Sequence, residues 1–235
     1  VASRWLGDLY MRQTLECVLF DLDGTLIDTA PDFIKVVNQL LEEHDKPPID
    51  AEPIYQTVSD GARALVKLVF DITDEHEEFP QLNNRLLELY YEQLQRTEAF
   101  FYPSISELLN NLDASEIAWG IVTNKPEKYS KLLLSKLGVL GKCKSLVCPE
   151  HVTNRKPHPE PILLACQQLG RDIDRTVYIG DHIRDIQAAK NADVIAIAAA
   201  YGYLSTNTKV EEWGADFILR SAEQIKSLLN LLKFA

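Results

Sequence analysis

One short stretch near the start of the chain constrains the fold more than any other. Val18, Leu19 and Phe20 form an apolar run that ends at Asp21, and Asp23 and Gly24 follow almost at once. An apolar run this short, ended by turn residues, is typical of a buried strand. Two neighbouring carboxylates are unfavourable unless a cation or a shared proton compensates. The stretch therefore indicates a metal site, an acid–base pair, or an ordinary strand end.

The segment that follows this strand has a helical pattern. Apolar residues recur at helical spacing over residues 33–41, 62–69 and 82–94, and no strand-like alternation interrupts them. Residues 100–103, which are aromatic and end in a proline, are interpreted as the return crossing of the chain. We therefore predict an all-helical insert over residues 29–102.

Beyond Pro103, helical and strand patterns alternate. Strands are predicted at 118–122, 145–148, 176–179 and 194–198, with a weaker candidate at 217–219. Such alternation implies right-handed crossovers and a parallel sheet covered on both faces. The predicted fold class is α/β: a Rossmann-like parallel sheet core, formed by residues 1–28 and 103–235, with a small all-helical domain inserted after the first strand.

Polar side chains cluster where three of the predicted strands end. They are Asp21 and Asp23, Thr123 and Asn124, and Asp181 and Asp185. Ligands of open α/β sheets bind outside the carboxyl ends of the strands. Carboxylates are hard oxygen ligands that suit Mg²⁺, whereas a lysine such as Lys156, a hydroxyl and turn amides suit a phosphoryl group. Because phosphoryl transfer consists mostly of positioning and charge neutralisation, this inventory fits it.

Four ordered motifs resemble those of the haloacid dehalogenase-like superfamily of phosphotransferases. They are Asp21-Leu22-Asp23-Gly24-Thr25, Thr123-Asn124-Lys125, Lys156-Pro157 and Gly180-Asp181-x-x-x-Asp185. The resemblance extends from about Leu15 onward. It implies a Rossmann-like core, a helical cap that closes over the active site, and Mg²⁺ as the cofactor.

The resemblance also implies roles for the acidic residues. Asp21 would be the nucleophile that forms an aspartyl-phosphate. Asp23 would protonate the leaving group and then activate water, and its backbone carbonyl would bind the metal. Asp181 would be the third metal ligand on the protein, and Asp185 would hold metal-bound water or Lys156.

Phosphate binding and specificity are implied for a second set of residues. Thr123, Asn124, Lys156 and Gly24 would hold the phosphate, with Lys156 also neutralising Asp21. In the insert, Ser59-Asp60-Gly61-Ala62-Arg63 is the best candidate for substrate contact, and its Arg63 offers a guanidinium fork for an anionic substrate. The alternative is that Arg63 is an exposed residue at a helix start. His182, which follows Asp181, is interpreted as a helix cap or a solvent-facing residue rather than as a catalytic group.

The substrate is left open between related groups. The four motifs and Tyr201-Gly202-Tyr203 resemble the phosphoglycolate phosphatases, which we take as the broad type. Gly61-Ala62-Arg63-Ala64 and Trp213-Gly214-Ala215-Asp216 are among four stretches that resemble the N-acetylmuramic acid 6-phosphate phosphatases more closely. A phosphomutase similar to β-phosphoglucomutase is a further alternative, and so is a non-catalytic binding protein.

Composition limits the partners. The net charge of −11 argues against nucleic acid and anionic membranes, and no apolar run reaches the roughly 18 residues of a membrane span. We expect a small phosphorylated metabolite as the partner and a monomer or weak dimer. Residues 1–10 lack the pattern of a signal peptide, and Met11 could be the start. Cys17 and Cys166 are predicted core thiols, which indicates a reduced cytoplasmic protein.

Overall fold

A computed structural model describes residues 15–233 of the chain, with side chains to residue 232. The expectations about residues 1–10 and Met11, and the first 14 residues of the predicted core domain, lie outside this range. Within it, no helix is both long and apolar enough to cross a bilayer.

Six parallel strands form the central sheet. They are β1 (Cys17–Phe20), β4 (Ala118–Val122), β5 (Leu146–Val147), β6 (Thr176–Gly180), β7 (Ile195–Ala199) and β8 (Phe217–Leu219). Their order is β5-β4-β1-β6-β7-β8, so β1 pairs with β4 on one side and with β6 on the other. The α/β fold class predicted from the alternation of patterns is confirmed.

Nine helices accompany the strands in the described part of the chain. They are α1 (Ala30–Glu42), α2 (Ala51–Thr57), α3 (Ala62–Phe70), α4 (Phe79–Leu94), α5 (Ile105–Ala114), α6 (Glu127–Lys136), α7 (Glu160–Leu169), α8 (Ile183–Asn191) and α9 (Gln224–Lys233). Residues of α5, α6 and α9 form one core with the sheet, and residues of α7 and α8 form the other.

The side chains of β1 explain why this strand is central. Val18 and Phe20 belong to one core, and Cys17 and Leu19 belong to the other. Because successive side chains of a strand point to opposite faces, only a strand covered on both faces can be apolar throughout. The predicted core thiols Cys17 and Cys166 are both buried, and both are free. Burial raises the pKa of the Cys17 thiol to about 12.

Helices α1 to α4 form the cap that lies between β1 and β4 in sequence. In its interior the rings of Phe33 and Tyr90 stack with centroids 4.1 Å apart. The buried Asp32 carboxylate accepts hydrogen bonds of 2.9 Å from the Gln93 side chain and from the Glu98 backbone N–H. The helical cap of the predicted fold is thus present, while the boundaries 1–28, 29–102 and 103–235 stay a prediction.

The base of the cap contains a strand pair that the sequence patterns did not indicate. β2 (Ile27–Asp28) pairs antiparallel with β3 (Phe100–Phe101). Phe100 and Phe101, which the sequence patterns placed in the return crossing, therefore form a short strand inside the segment predicted as all-helical. Two-residue strands are too short to show an alternation, because periodicity needs at least four residues to be read.

Candidate active site

The sheet order brings three strand ends to one edge. Asp21 follows β1, and its backbone N–H still donates to the Ile179 carbonyl of β6 at 2.8 Å. Thr123 follows β4 and donates its backbone N–H to the Val147 carbonyl at 2.9 Å. Asp181 follows β6 and is fully buried. The convergence predicted from the strand-end residues is therefore present.

Lys156 is the buried cation at this edge. Its Nζ lies 2.9 Å from Asp21 Oδ1 and 2.7 Å from Asp185 Oδ1. The same atom donates to the Tyr178 hydroxyl at 2.8 Å and to the Val122 carbonyl at 2.9 Å. With 1 % of its side chain exposed, Lys156 exchanges its water shell for these four oxygens, and the neighbouring carboxylates raise its pKa.

Three carboxylates surround the position that a cation would take. Asp21, Asp181 and Asp185 each offer an oxygen, and these oxygens lie within 4.8 Å of one another. Burial raises the pKa of Asp21 to about 6, an effect that Lys156 partly offsets. Burial and the neighbouring carboxylates raise the pKa of Asp181 well above its ordinary value. One ammonium against three carboxylates leaves a deficit of positive charge.

A divalent cation with a preference for oxygen would supply that missing charge, and the donor set fits Mg²⁺. Asp181 and Asp21 lie in the cluster as predicted. The cluster also contains the Asp185 carboxylate, which the resemblance placed outside the metal ligands. The Asp185 oxygens are engaged by Lys156 and by the His182 backbone N–H at 3.0 Å, which agrees with a role in holding Lys156.

Asp181 is fixed by groups from three segments. Its Oδ2 accepts hydrogen bonds from the Tyr203 backbone N–H at 2.9 Å and from the Ser59 hydroxyl at 3.0 Å. Its Oδ1 accepts one from the Thr25 hydroxyl at 3.3 Å. Ser59 belongs to the cap, so the cap reaches the predicted metal ligand directly. This contact with Asp181 arises only when the cap docks, so sequence patterns do not indicate it.

The Asp23 carboxylate is not part of the acidic cluster, although Asp23 lines the same cavity as Asp21. Asp23 Oδ1 accepts hydrogen bonds from Lys125 Nζ at 2.8 Å and from the Thr29 hydroxyl at 2.6 Å. The crowding of Asp21 and Asp23 suggested by their spacing is thus relieved, because the two side chains have different partners.

Thr123 and Asn124 also line the cavity. The Asn124 side-chain amide donates to the Lys156 carbonyl at 3.1 Å, while its Oδ1 is buried without a hydrogen-bond partner. The Thr123 hydroxyl accepts the Lys125 backbone N–H at 3.1 Å. Gly24 has a φ of +76°, which glycine adopts without strain. These positions agree with a role in phosphate binding, which stays a prediction.

The cavity between core and cap has a volume of about 540 Å³. Arg63 lies in its wall, but its guanidinium is already paired with Asp74 at 2.8 Å and lies over the Phe79 ring at 4.8 Å. The Arg63 side chain is 63 % exposed. Arg63 therefore lies exposed in the first turn of α3 and also faces the cavity. The structure is compatible both with a role in binding an anionic substrate and with an exposed helix-start residue.

His182 is a helix cap, as predicted. Its Nδ1 accepts the Arg184 backbone N–H at 3.1 Å at the start of α8. Arg184 in turn donates to Asp60 of the cap at 2.7 Å, and His182 Nε2 lies 3.3 Å from the same carboxylate. This contact between cap and core was not foreseen, because Asp60 and Arg184 are far apart in sequence.

Known proteins are similar to this chain in sequence and in fold. A family model for haloacid dehalogenase-like hydrolases matches residues 18–199. The chain is 40% identical to the N-acetylmuramic acid 6-phosphate phosphatase of Pseudomonas aeruginosa, over 93% of this chain and 96% of that protein. It is 36% identical to the phosphoglycolate phosphatase of Xanthomonas campestris pv. campestris, over 88% and 93% respectively.

Among solved structures, a predicted phosphoglycolate phosphatase from Haemophilus somnus superposes with a TM-score of 0.80 at 26% identity. The match covers 91% of this chain and 97% of that one. The chain belongs to the haloacid dehalogenase-like hydrolase family. Within that family it is a phosphatase, a hydrolase of phosphoric monoesters.

The close approach of Gly202 to Asp181 gives a test of the site geometry. A Cβ at Gly202 would lie 2.3 Å from Asp181 Cβ and from the Gly24 carbonyl oxygen. We expect Gly202→Ala to displace Asp181 and to lower kcat/KM on p-nitrophenyl phosphate by about 10²-fold, as small misplacements do. Gly141→Ala is the control, because nothing lies within 4 Å of its Cβ. Wild-type kcat/KM in Gly202→Ala would contradict the geometry.

Proposed function

We propose that the protein is a Mg²⁺-dependent phosphomonoesterase that acts through an aspartyl-phosphate on Asp21. The observation that carries this proposal is the cluster of Asp21, Asp181 and Asp185 at the strand ends, in which Asp21 and Asp185 contact Lys156. A cluster of this composition has hard oxygen ligands on one side and a buried cation on the other. It can therefore hold both a divalent metal ion and the phosphoryl group that the nucleophile attacks.

Asp21, Asp181 and the Asp23 backbone carbonyl would hold the metal, with Asp185 behind them. Bound Mg²⁺ would offset the repulsion between the carboxylates and the phosphate dianion. Lys156 contributes positive charge of its own and keeps the Asp21 carboxylate oriented through the 2.9 Å contact. The Leu22 backbone N–H donates to Asp21 Oδ1 at 2.7 Å and restricts it further.

The reaction would proceed in two displacements. An Asp21 carboxylate oxygen forms a bond to phosphorus while the bond to the leaving-group oxygen breaks, and Asp23 gives that oxygen a proton. Asp23 then removes a proton from water, which attacks the phosphorus of the aspartyl-phosphate. The phosphorus–Asp21 bond breaks, and inorganic phosphate leaves. Thr123, Asn124 and Gly24 would hold the phosphate oxygens in both steps.

The cap would enclose the leaving group. Ser59, Arg63 and Tyr90 all lie in the wall of the cavity, so they are available to contact whatever is esterified to the phosphate. Closing such a site excludes bulk water and so strengthens the electrostatic interactions inside it.

N-acetylmuramic acid 6-phosphate is the substrate that the observations support best. The relative with that name is 40% identical to the chain, and a cavity of about 540 Å³ lies within the size range of small-molecule sites. 2-Phosphoglycolate is the second candidate, supported by the 36% identity to a phosphoglycolate phosphatase. A phosphomutase would not release phosphate from a single substrate, so phosphate release separates that alternative.

Asp21 is expected to be essential because it makes the covalent bond. We expect Asp21→Asn to lower kcat by at least about a thousandfold and to carry no phosphoryl group after rapid acid quenching, whereas the wild-type protein carries one. Mass spectrometry of the quenched proteins measures this. Asp71→Asn, at an exposed position that ends α3, is the control. Full activity in Asp21→Asn would refute the mechanism.

Metal removal tests the cofactor. We expect EDTA to abolish phosphate release and excess Mg²⁺ to restore it, since the acidic cluster lacks compensating charge without a cation. Calorimetric titration with Mg²⁺ should show binding that Asp181→Asn weakens by at least about tenfold, the loss of one charged ligand. Activity that survives complete chelation would contradict the assignment.

The substrate is tested by a phosphate-release assay on N-acetylmuramic acid 6-phosphate, 2-phosphoglycolate, glucose 6-phosphate and p-nitrophenyl phosphate. We expect the highest kcat/KM for N-acetylmuramic acid 6-phosphate, by at least about tenfold, because its large leaving group can use the cap contacts. A higher value for 2-phosphoglycolate would favour the second candidate.

The same assay tests Arg63. Two of the substrates, N-acetylmuramic acid 6-phosphate and 2-phosphoglycolate, carry a carboxylate, and glucose 6-phosphate does not. We expect Arg63→Ala to raise KM for the carboxylate-bearing substrates alone, by about threefold to tenfold. Lys67→Ala is the matched control, because Lys67 pairs with the same Asp74 at 2.7 Å but is not among the described residues that line the cavity.

A further inference from the structure

Lys125 occupies an unusual position for a lysine in a loop. It follows Thr123 and Asn124, yet only 7 % of its side chain is exposed. Its Nζ lies 2.8 Å from Asp23 Oδ1 and 2.7 Å from the Tyr90 hydroxyl. The same atom lies 4.6 Å from the centroid of the Tyr90 ring and 5.3 Å from that of Phe33. The ammonium is thus held between a core carboxylate and two aromatic rings of the cap.

Only one of the two oxygens of the Asp23 carboxylate accepts these hydrogen bonds. Both hydrogen bonds that the described residues donate to the Asp23 carboxylate, from Lys125 and from Thr29, end on Oδ1. Oδ2 is therefore the oxygen that remains to exchange a proton with a leaving group in the cavity that Asp23 lines. With two donors on one oxygen, rotation of the carboxylate about its Cβ–Cγ bond is restricted.

We propose that Lys125 is a positioning residue that orients the Asp23 carboxylate toward the leaving-group oxygen. Through its contact with Lys125, Tyr90 makes this orientation depend on the docked cap. The inference rests on the proposed function, in which Asp23 donates that proton. Lys125 comes from the core loop after β4, and Tyr90 comes from α4 of the cap. When α4 moves away, Lys125 loses a hydrogen bond and an aromatic face that fix its ammonium.

Two other roles for Lys125 make different predictions. A lysine that binds the phosphate would affect every phosphate ester alike, and a lysine that binds the sugar would raise KM for glucose 6-phosphate and leave its kcat unchanged. A lysine that merely ties the cap to the core would lower stability and activity without regard to the leaving group. A positioning residue for a general acid matters only when the leaving group needs a proton: an alkoxide needs one, whereas p-nitrophenolate leaves without help.

The experiment compares kcat/KM on glucose 6-phosphate and on p-nitrophenyl phosphate. The value of kcat/KM reports only the steps up to loss of the leaving group. It is therefore independent of the later hydrolysis of the aspartyl-phosphate, which is the same for both substrates. For Lys125→Met we expect kcat/KM to fall about 10²-fold on glucose 6-phosphate, with the loss in kcat rather than in KM, and less than about threefold on p-nitrophenyl phosphate, the range of a misplaced general acid. Equal losses on both substrates would overturn the proposal.

Lys128→Met is the matched control. Lys128 lies 4.0 Å from the centroid of the Tyr91 ring of α4, so it also contacts the cap from the core, but it does not touch Asp23. We expect its two kcat/KM values to equal those of the wild-type protein. A leaving-group-dependent loss in Lys128→Met would show that cap contacts in general produce the effect, and it would overturn the assignment to Lys125.

Tyr90→Phe keeps the proposal testable if Lys125→Met does not fold. It retains the stacked ring and removes only the hydroxyl that accepts from Lys125. We expect a smaller loss, about threefold to tenfold, confined to glucose 6-phosphate, as for one charged hydrogen bond. Equal loss on both substrates, or none, would overturn the role of the cap.

Asp23→Asn distinguishes a failure of the proposed general-acid step from a failure of the role of Lys125. It should show the same dependence on the leaving group as Lys125→Met, with a larger loss on glucose 6-phosphate. If Asp23→Asn affects both substrates equally, the general-acid step of the proposed function fails. If Asp23→Asn is selective and Lys125→Met is not, only the role of Lys125 fails.

Discussion

The contact of the buried Lys156 ammonium with the Asp21 and Asp185 carboxylates is the interaction on which the site depends. Taking such ions out of water costs several kcal/mol for each, and a pair offsets this cost only with good geometry and further hydrogen bonds. Lys156 meets both conditions, since Asp21, Asp185, Tyr178 and a main-chain carbonyl all lie within 2.9 Å of its Nζ. The geometry follows from the sheet, because β1 lies between β4 and β6 and each supplies part of the shell.

The carboxylates fit because glycines, which have no Cβ, lie next to them. A Cβ at Gly24 would lie 2.1 Å from Asp181 Oδ2, and one at Gly180 would lie 2.4 Å from Asp185 Cβ. Gly202 packs against Asp181 from the opposite loop. The acidic side chains are therefore pressed against main chain, which contributes N–H donors at short range and leaves little space for water. That desolvation is the main reason why the pKa values of Asp21 and Asp181 are raised.

Sequence patterns predicted the parts of the site that depend on strand ends. Asp21, Thr123 and Asp181 each follow an apolar strand, and parallel pairing alone brings such positions together. Tyr178 could not be found this way, because within β6 its spacing is that of a core residue and its hydroxyl contact depends on the loop of Lys156. Ser59 was indicated only as part of a segment that contacts substrate, and Tyr90 was not indicated as a site residue, because both meet the core through the docking of helices that no periodicity describes. The strands β2 and β3 were missed because two residues carry no period.

The cap contacts connect substrate size to catalytic geometry. Ser59 donates to Asp181, and Tyr90 accepts from the lysine that holds Asp23, so the cap touches the surroundings of both the predicted metal ligand and the predicted proton donor. A leaving group that fits the cavity lets these contacts form, whereas one that keeps α4 away loses them. Discrimination among phosphate esters should then appear in the chemical step as well as in binding, because contacts made only in the closed state act on the transition state. A cap that shares a hydrogen bond with the acidic cluster provides a direct structural route for this effect.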